Sequence, residues 1–403
     1  MELHCPVWSL STNLAKAAGA TTESNDQILE RISAEVDAGN VSDSSYEDLS
    51  RILEQDPRNS KAHLLLGNCY DALGLPGEAY EQYELAFKYA PNDTKALCGA
   101  IKAELHSGRL ALATQLIENG IKRFPDNPEL KFWKGSLLYS QNKMNEAEVL
   151  FQEALNSQTK IFGLPTAMAT IRFRQKLYSD AATLVKEDLK KEPNSVLANE
   201  VLGLSLMRMR LYSKAVKPLA VAFQGNPGKS IIAEEYAQAL YWAGDYRSAL
   251  KPALINLALS ADLYSNDPLS KTILGRILLH VKATDLSEAI DNVSGRFGID
   301  KNAAFHFALG DVLDRYGFRE LAMKQYRKGL DLQPGFGRGW YRLALDLECV
   351  NHDYEQALAC LRKASSLLPE DESVSRHLLR FEDRYNNYHK DWAWQIKDWL
   401  RTL

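Results

Sequence analysis

From about residue 60 onward, one arrangement of small, apolar and charged positions returns every 34 residues. Counting on from Ala79 lands on Ala113, Ala147, Ala181, Ala215 and Ala249. Gly67, Gly135 and Gly203 keep the same beat two periods apart, and Pro91, Pro125, Pro193 and Pro227 mark the ends of units. A fixed interval in the range of roughly 20–50 residues predicts a stacked array of supersecondary units, each burying its apolar face on its neighbours. The last stretch, YHKDWAWQIKDWLRTL, has a different pattern. Trp392, Ile396, Trp399 and Leu403 recur at spacings of four, three and four, which predicts an amphipathic helix. Lys390, Asp391, Lys397, Asp398 and Arg401 supply its charged side. Two roles are open to this helix, a cap on the last unit or a docking element for a partner.

Within residues 60–93 the recurring set is Leu66, Gly67, Tyr70, Ala79, Tyr83, Ala86 and Pro91, with His63 four places into the unit. Residues 196–229 carry Leu202, Gly203, Ala215, Ala222 and Pro227; residues 303–336 carry Leu309, Gly310, Ala322, Tyr326 and Pro334. This set resembles the tetratricopeptide repeat, W-x₂-L-G-x₂-Y…A-x₃-F…P, with His63 and His306 at the Trp position. The resemblance implies an all-α fold, a right-handed α-solenoid of about ten helix-turn-helix repeats with a C-terminal capping helix. Gly and Ala would sit where helices cross, large residues beside those crossings, and Pro at helix boundaries. Units are expected to open at 26, 60, 94, 128, 162, 196, 230, about 268, 303 and 337. Ser45 replaces the key alanine in the first. The beat slips near 262–302, where Gly275 and Ala289 are the anchors, and one extra residue precedes Ala357 in the last unit, which has Trp340 at the Trp position. The chain therefore divides into a flexible N-terminal segment, 1–25, the repeat array, 26–369, and C-terminal capping helices, 370–403.

Composition changes this picture little. At 45% hydrophobic and 25% charged the chain is of the folded, globular kind. A net charge of −4 and a pI near 6.1 give no overall basic field for nucleic acid. Cys5, Cys69, Cys98, Cys349 and Cys360 are odd in number and form no C-x-x-C, so neither a disulfide framework nor a zinc site is indicated. Nowhere do about 18 apolar residues run together, which argues against a membrane span. The N-terminus lacks a basic n-region and a long apolar h-region. The expected location is the cytoplasm, or the periplasm if an export signal has been removed.

Two glycine-rich runs imitate nucleotide sites. GFGRGW, 335–340, has no preceding strand, and GNPGKS, 225–230, has Phe223 where a phosphate loop needs its first glycine. Both read as repeat junctions. The eight histidines show no H-E-x-x-H or similar pairing, and no G-x-S-x-G elbow occurs. No catalytic residue, metal ligand or cofactor is expected.

The resemblance also implies that first helices line a concave groove through repeat positions 2, 5, 9, 12 and 13. Position 12 gives Tyr139, Phe173, Met207, Tyr241 and Leu279; position 13 gives His106, Arg174, Arg208, Trp242, His280 and Arg315. The candidate partner-binding residues are Phe132, Tyr139, Phe173, Arg174, Met207, Arg208, Tyr241, Trp242, Arg276 and Arg315. The basic column has two readings: complements to helix C-terminal dipoles, or a ladder for an acidic extended peptide. Glu200, Glu234, Glu235 and Asp311 lie on or near the same surface and would zone it. A carboxylate clamp of the Hsp70/Hsp90 type is excluded by residue identity. Arg338 and Arg342 match its last pair, but Thr272, Arg276 and Ala308 do not match the rest; in the other frame Leu64 stands with Asn68 at the first pair, and Gly99, Glu129 and Trp133 occupy the others. The expected function is a non-catalytic scaffold that binds a protein or peptide. The alternatives are a regulatory or substrate-delivering subunit of an enzyme complex and a periplasmic scaffold of an envelope or secretion assembly.

Overall fold

The computed structural model describes residues 23–157, 159–261, 273–295, 298–351 and 353–402, with the side chains of Asp37, Asn351 and 388–402 outside the description. Among these residues every regular element is helical. The helices come as consecutive antiparallel-type pairs, for example Ser60–Ala72 with Pro76–Tyr89 and Val196–Arg208 with Tyr212–Gly225. This is an all-α solenoid of helix-turn-helix units. Contacts divide the chain into two compact units, one ending at Leu164 and one beginning at Pro165.

Local chemistry explains where each pair starts and turns. Asn59, Asp93 and Asn127 accept hydrogen bonds from the first-turn amides of the helices they precede, and Pro76 and Pro128 occupy first-turn positions that need no N–H. The link between the two helices of a repeat requires one left-handed residue. Gly74, Gly108, Asn142, Lys176, Arg210 and Gly244 supply it at 34-residue intervals, with φ between +60° and +86°. Only glycine takes that conformation without steric cost, so Lys176 and Arg210 are held there by the helices on either side.

Packing follows the same beat. Ala79, Ala113, Ala147, Ala181, Ala215, Ala249, Ala322 and Ala357 are all fully buried. A methyl added at Gly67, Gly135, Gly203 or Gly310 would lie 2.5–2.7 Å from the ring or side chain of Tyr83, Phe151, Leu219 or Tyr326, sixteen residues further on. The small residue on the first helix is thus the seat for the large one on the second. Ser45, at the alanine position of the first repeat, is also fully buried, and its hydroxyl donates to Glu35 Oε2 at 2.6 Å. A polar residue is accommodated there because its hydrogen bond is made inside the repeat.

The irregularities have structural counterparts. Where the beat slips, the described part of the first helix is Ile273–Leu278, and Gly275 seats Tyr316 of the next repeat instead of a residue of its own. A 3₁₀ turn, Ile299–Lys301, entered through Gly298 at φ +66°, restores the register. The extra residue before Ala357 falls in a π-helical turn, Leu347–Asn351, the form a helix takes when one residue is inserted. Two glycines of 335–340 are packing positions: a methyl on Gly337 would meet Leu368 at 2.6 Å, and one on Gly339 would meet Phe307 at 2.5 Å, whereas Gly335 has open space around it. One continuous helix, Glu372–Thr402, follows the last repeat, and its buried Val374 and Phe381 cover that repeat's exposed side. The side chains of Trp392, Ile396 and Trp399, and Leu403 altogether, lie outside the described residues.

Candidate partner-binding face

In the unit ending at Leu164, charges on the first helices are used to join repeats. Lys102 donates to Asp71 at 2.6 Å and His106, the position-13 residue of its repeat, lies 3.6 Å from the same carboxylate. Burial would raise the Asp71 carboxyl, but the hydrogen bonds and charges of His106 and Lys102 outweigh it and hold the group below the usual range. Phe132 is buried against Phe151 and Trp133, so it is a core residue and not a contact surface. Tyr139 is half-buried.

The unit from Pro165 onward is different. Met207 is buried in the core, and Phe173 and Tyr241 are half-buried. Arg174, Arg276 and Arg315 are exposed. Arg208, weighed above as a dipole complement or a peptide contact, has a third role: it donates to Glu235 of the next repeat at 2.7 Å. Arg342 likewise faces Asp311 of the preceding repeat at 3.5 Å. These pairs staple neighbouring first helices, and their charge is largely spent within the chain.

Apolar side chains remain in view on these helices or in the turns that follow them. Trp242 is 51% exposed and Leu279 69%, although Trp242 stacks on Tyr212 with ring centres 5.5 Å apart and planes at 22°. His280 stacks in the same way on Tyr246, at 4.2 Å and 12°. Tyr241 sits between the two stacks, 5.2 Å from Trp242 and 5.8 Å from His280. Leu197 and Ile231, at position 2 of two successive repeats, are also exposed. In each stack a position-13 residue rests on the tyrosine that opens the second helix of the preceding repeat, and Trp242 and His280 are both exposed. Tyr178 stands at the equivalent place one repeat earlier, opening the helix Tyr178–Lys191.

The tyrosines were absent from the candidate set, although Tyr178, Tyr212 and Tyr246 recur at 34 residues. That recurrence was the available signal. Tyr212 and Tyr246 stack against the position-13 side chains Trp242 and His280, which periodicity of the groove positions alone does not reveal. Among the described residues no group of three His, Cys, Asp or Glu is arranged to hold a metal ion, and no helix is long and apolar enough to cross a membrane.

The sequence profile of the tetratricopeptide repeat matches residues 29–96 and 98–160. The helix pairs, the buried alanines and the glycine seats continue the same unit through the second half of the chain. Residues 29–160 of this chain belong to the tetratricopeptide-repeat family. Cellulose synthase operon protein C of Komagataeibacter sucrofermentans is 31% identical over 81 residues, 20% of this chain and 6% of that protein; the Komagataeibacter xylinus protein of the same name matches equally. The chain thus spans only a small part of the curated relatives it matches. Among solved structures, the APC/C hetero-tetramer Cut9–Hcn1 aligns over 88% of this chain and 63% of its own, at 13% identity and a TM-score of 0.45. Pseudomonas aeruginosa pilF aligns over 58% of this chain and 97% of its own, at 16% identity and a TM-score of 0.39.

Proposed function

We propose that this protein is a non-catalytic interaction scaffold that holds an extended segment of another protein along the first helices of the unit beginning at Pro165. The observation that carries the proposal is the exposed pair Trp242 and Leu279 on adjacent repeats, each beside a packed aromatic stack. Rigid, exposed aromatic side chains offer contact area at little entropic cost, and such residues dominate binding energy at interfaces. The carboxylates Asp71 and Glu235 support the scaffold reading, because both are used in joining repeats. Buried thiols support a reducing, cytoplasmic setting: burial pushes Cys69 and Cys360 each up to about 11 and Cys98 higher still.

Site-specific photo-cross-linking tests the assignment of the face. A cross-linking amino acid at Leu279 should form an adduct with a partner in cells of the source organism. The same group at Leu332, also exposed but on a second helix, should not. Adducts of equal yield at both positions, or at Leu332 alone, would remove the first-helix face as the binding surface.

A further inference from the structure

The unit from Pro165 onward also carries a cleft on its second helices. It lies where the beat slips, beside the anchor Ala289. Tyr246–Ser260 and Ala283–Ser294 line it, together with the end of Tyr212–Gly225. Its volume is about 490 Å³, within the range of small-molecule sites, roughly 300–1,000 Å³. Phe223, Pro252 and Ile255, all buried, supply apolar lining. Half-buried Tyr236 adds a ring whose centre is 5.6 Å from that of Phe223.

The two longer sides of this lining differ in charge. Tyr246–Ser260 contributes Arg247 and Lys251, one helical turn apart, and Ala283–Ser294 contributes Asp285 and Glu288. Arg247 reaches across: its Nη2 donates to Glu288 at 2.9 Å, and its Nε lies 3.6 Å from Asp285. Two carboxylates thus share one guanidinium, whereas Lys251 pairs with no carboxylate among the described residues. One negative charge is in surplus on the later helix, and one positive charge on the earlier. A ligand with only a carboxylate would meet the surplus negative charge, and one with only an ammonium would meet Lys251. A molecule carrying both charges on an apolar body complements the whole lining. Because these charges are exposed to solvent, apolar contact supplies most of the affinity and charge supplies the selectivity.

We propose that this cleft binds a small zwitterion with an apolar side chain, of the free α-amino acid class. Its carboxylate lies toward Lys251 and its ammonium toward Asp285 and Glu288. The site is separate from the first-helix face and does not rest on the scaffold reading.

Isothermal titration calorimetry of the full chain at neutral pH tests this with L-phenylalanine and L-leucine as probes. Two singly charged analogues of phenylalanine, 3-phenylpropanoate and phenethylamine, serve as comparisons. L-phenylalanine should bind at least about tenfold more tightly than either analogue. Lys251→Met should lower its affinity to about that of phenethylamine, and Glu288→Gln should lower it toward that of 3-phenylpropanoate. Lys217→Met, at the lysine 34 residues before Lys251 and outside the cleft, should change nothing. Lys217 and Lys251 are both exposed, so neither substitution disturbs the core. Binding of neither amino acid, an analogue that binds as tightly as L-phenylalanine, or equal effects of Lys251→Met and Lys217→Met overturns the proposal.

Discussion

Two repeats of this protein can be laid side by side. In residues 60–93, His63 Nδ1 faces Gln82 at 2.8 Å, the Tyr83 hydroxyl donates to Asn68 at 2.9 Å, and the Tyr83 ring fills the seat at Gly67. In residues 303–336, His306 Nδ1 faces Gln325 at 2.8 Å, the Tyr326 hydroxyl donates to Asp311 at 2.7 Å, and the Tyr326 ring fills the seat at Gly310. Their junctions differ. His63 Nε2 reaches the Pro57 carbonyl at 3.1 Å, as Asn199 reaches Pro193 and Trp340 reaches Pro334, whereas the 3₁₀ turn before His306 offers no such carbonyl and leaves its Nε2 without a partner among the described residues. Position 12 diverges too. Asp71 is neutralised by Lys102 and His106, but Asp314 faces the buried Asp346 of the next repeat. Contacts inside a repeat follow the 34-residue beat, while contacts between repeats depend on what each junction happens to present.

The largest test concerns what the two repeats share. Gly67→Val and Gly310→Val should each cost about 3 kcal/mol, because the new side chain would meet a ring already packed on its other face. Thermal unfolding of both variants measures this. A cost at one glycine and none at the other would show that the two crossings are not equivalent.

The next test separates the junctions by pH. Burial first, and then the neighbouring Asp314 carboxylate, raise the Asp346 carboxyl well above the usual carboxylate range, despite the opposing charges of Arg319 and Arg342. A group with a raised folded-state pKa favours the fold while protonated. Its contribution is complete below the ordinary carboxylate value and is lost as pH rises through the folded-state value. Asp346→Asn should therefore be neutral near pH 4 and stabilising by about 2 kcal/mol near pH 8. Asp71 has the opposite sign. Its pKa is lowered, so its contribution is present above the ordinary value and is lost as pH falls. Asp71→Asn should thus destabilise at neutral pH by about 1 kcal/mol and have no effect in acid. Denaturant titrations at the two pH values give all four numbers, and parallel pH profiles for the two variants would erase the distinction between the junctions.

What could be read from the sequence divides along the same line. The alanine beat, the glycine seats and the extra residue before Ala357 were legible because each is a steric requirement repeated many times, and repetition makes a weak signal countable. Ser45 was legible as a departure from the alanine; its bond to Glu35 shows how a polar residue fits there. The groove was less legible. Position numbers placed Met207 and Phe132 among contact residues, but both turn into the core, and Arg208 is taken by Glu235. Whether a side chain points to solvent or to the next repeat is fixed by the neighbour's residue at a different position. Reading one column at a time omits that neighbour.

The smallest effect concerns the turn inside each repeat. In both repeats compared above this turn is made by glycine, Gly74 and Gly317, at φ +72° and +84°. In residues 196–229 the same place is held by Arg210, at φ +60°. A left-handed conformation costs a residue with a Cβ roughly 1–2 kcal/mol, because the Cβ crowds the following carbonyl. Glycine removes that cost but adds freedom to the unfolded chain, worth about 0.4–1 kcal/mol in the other direction. The balance predicts that Arg210→Gly stabilises by about 0.5 kcal/mol. Gly317→Arg, the converse change, should destabilise by a similar amount, since the geometry of the turn is the same and no heavy atom lies within 4 Å of a Cβ built there. Chemical denaturation midpoints measured on both variants decide the point. If Arg210→Gly is destabilising, the arginine side chain contributes contacts that outweigh its backbone strain, and this turn is a feature of its own repeat, not of the shared unit.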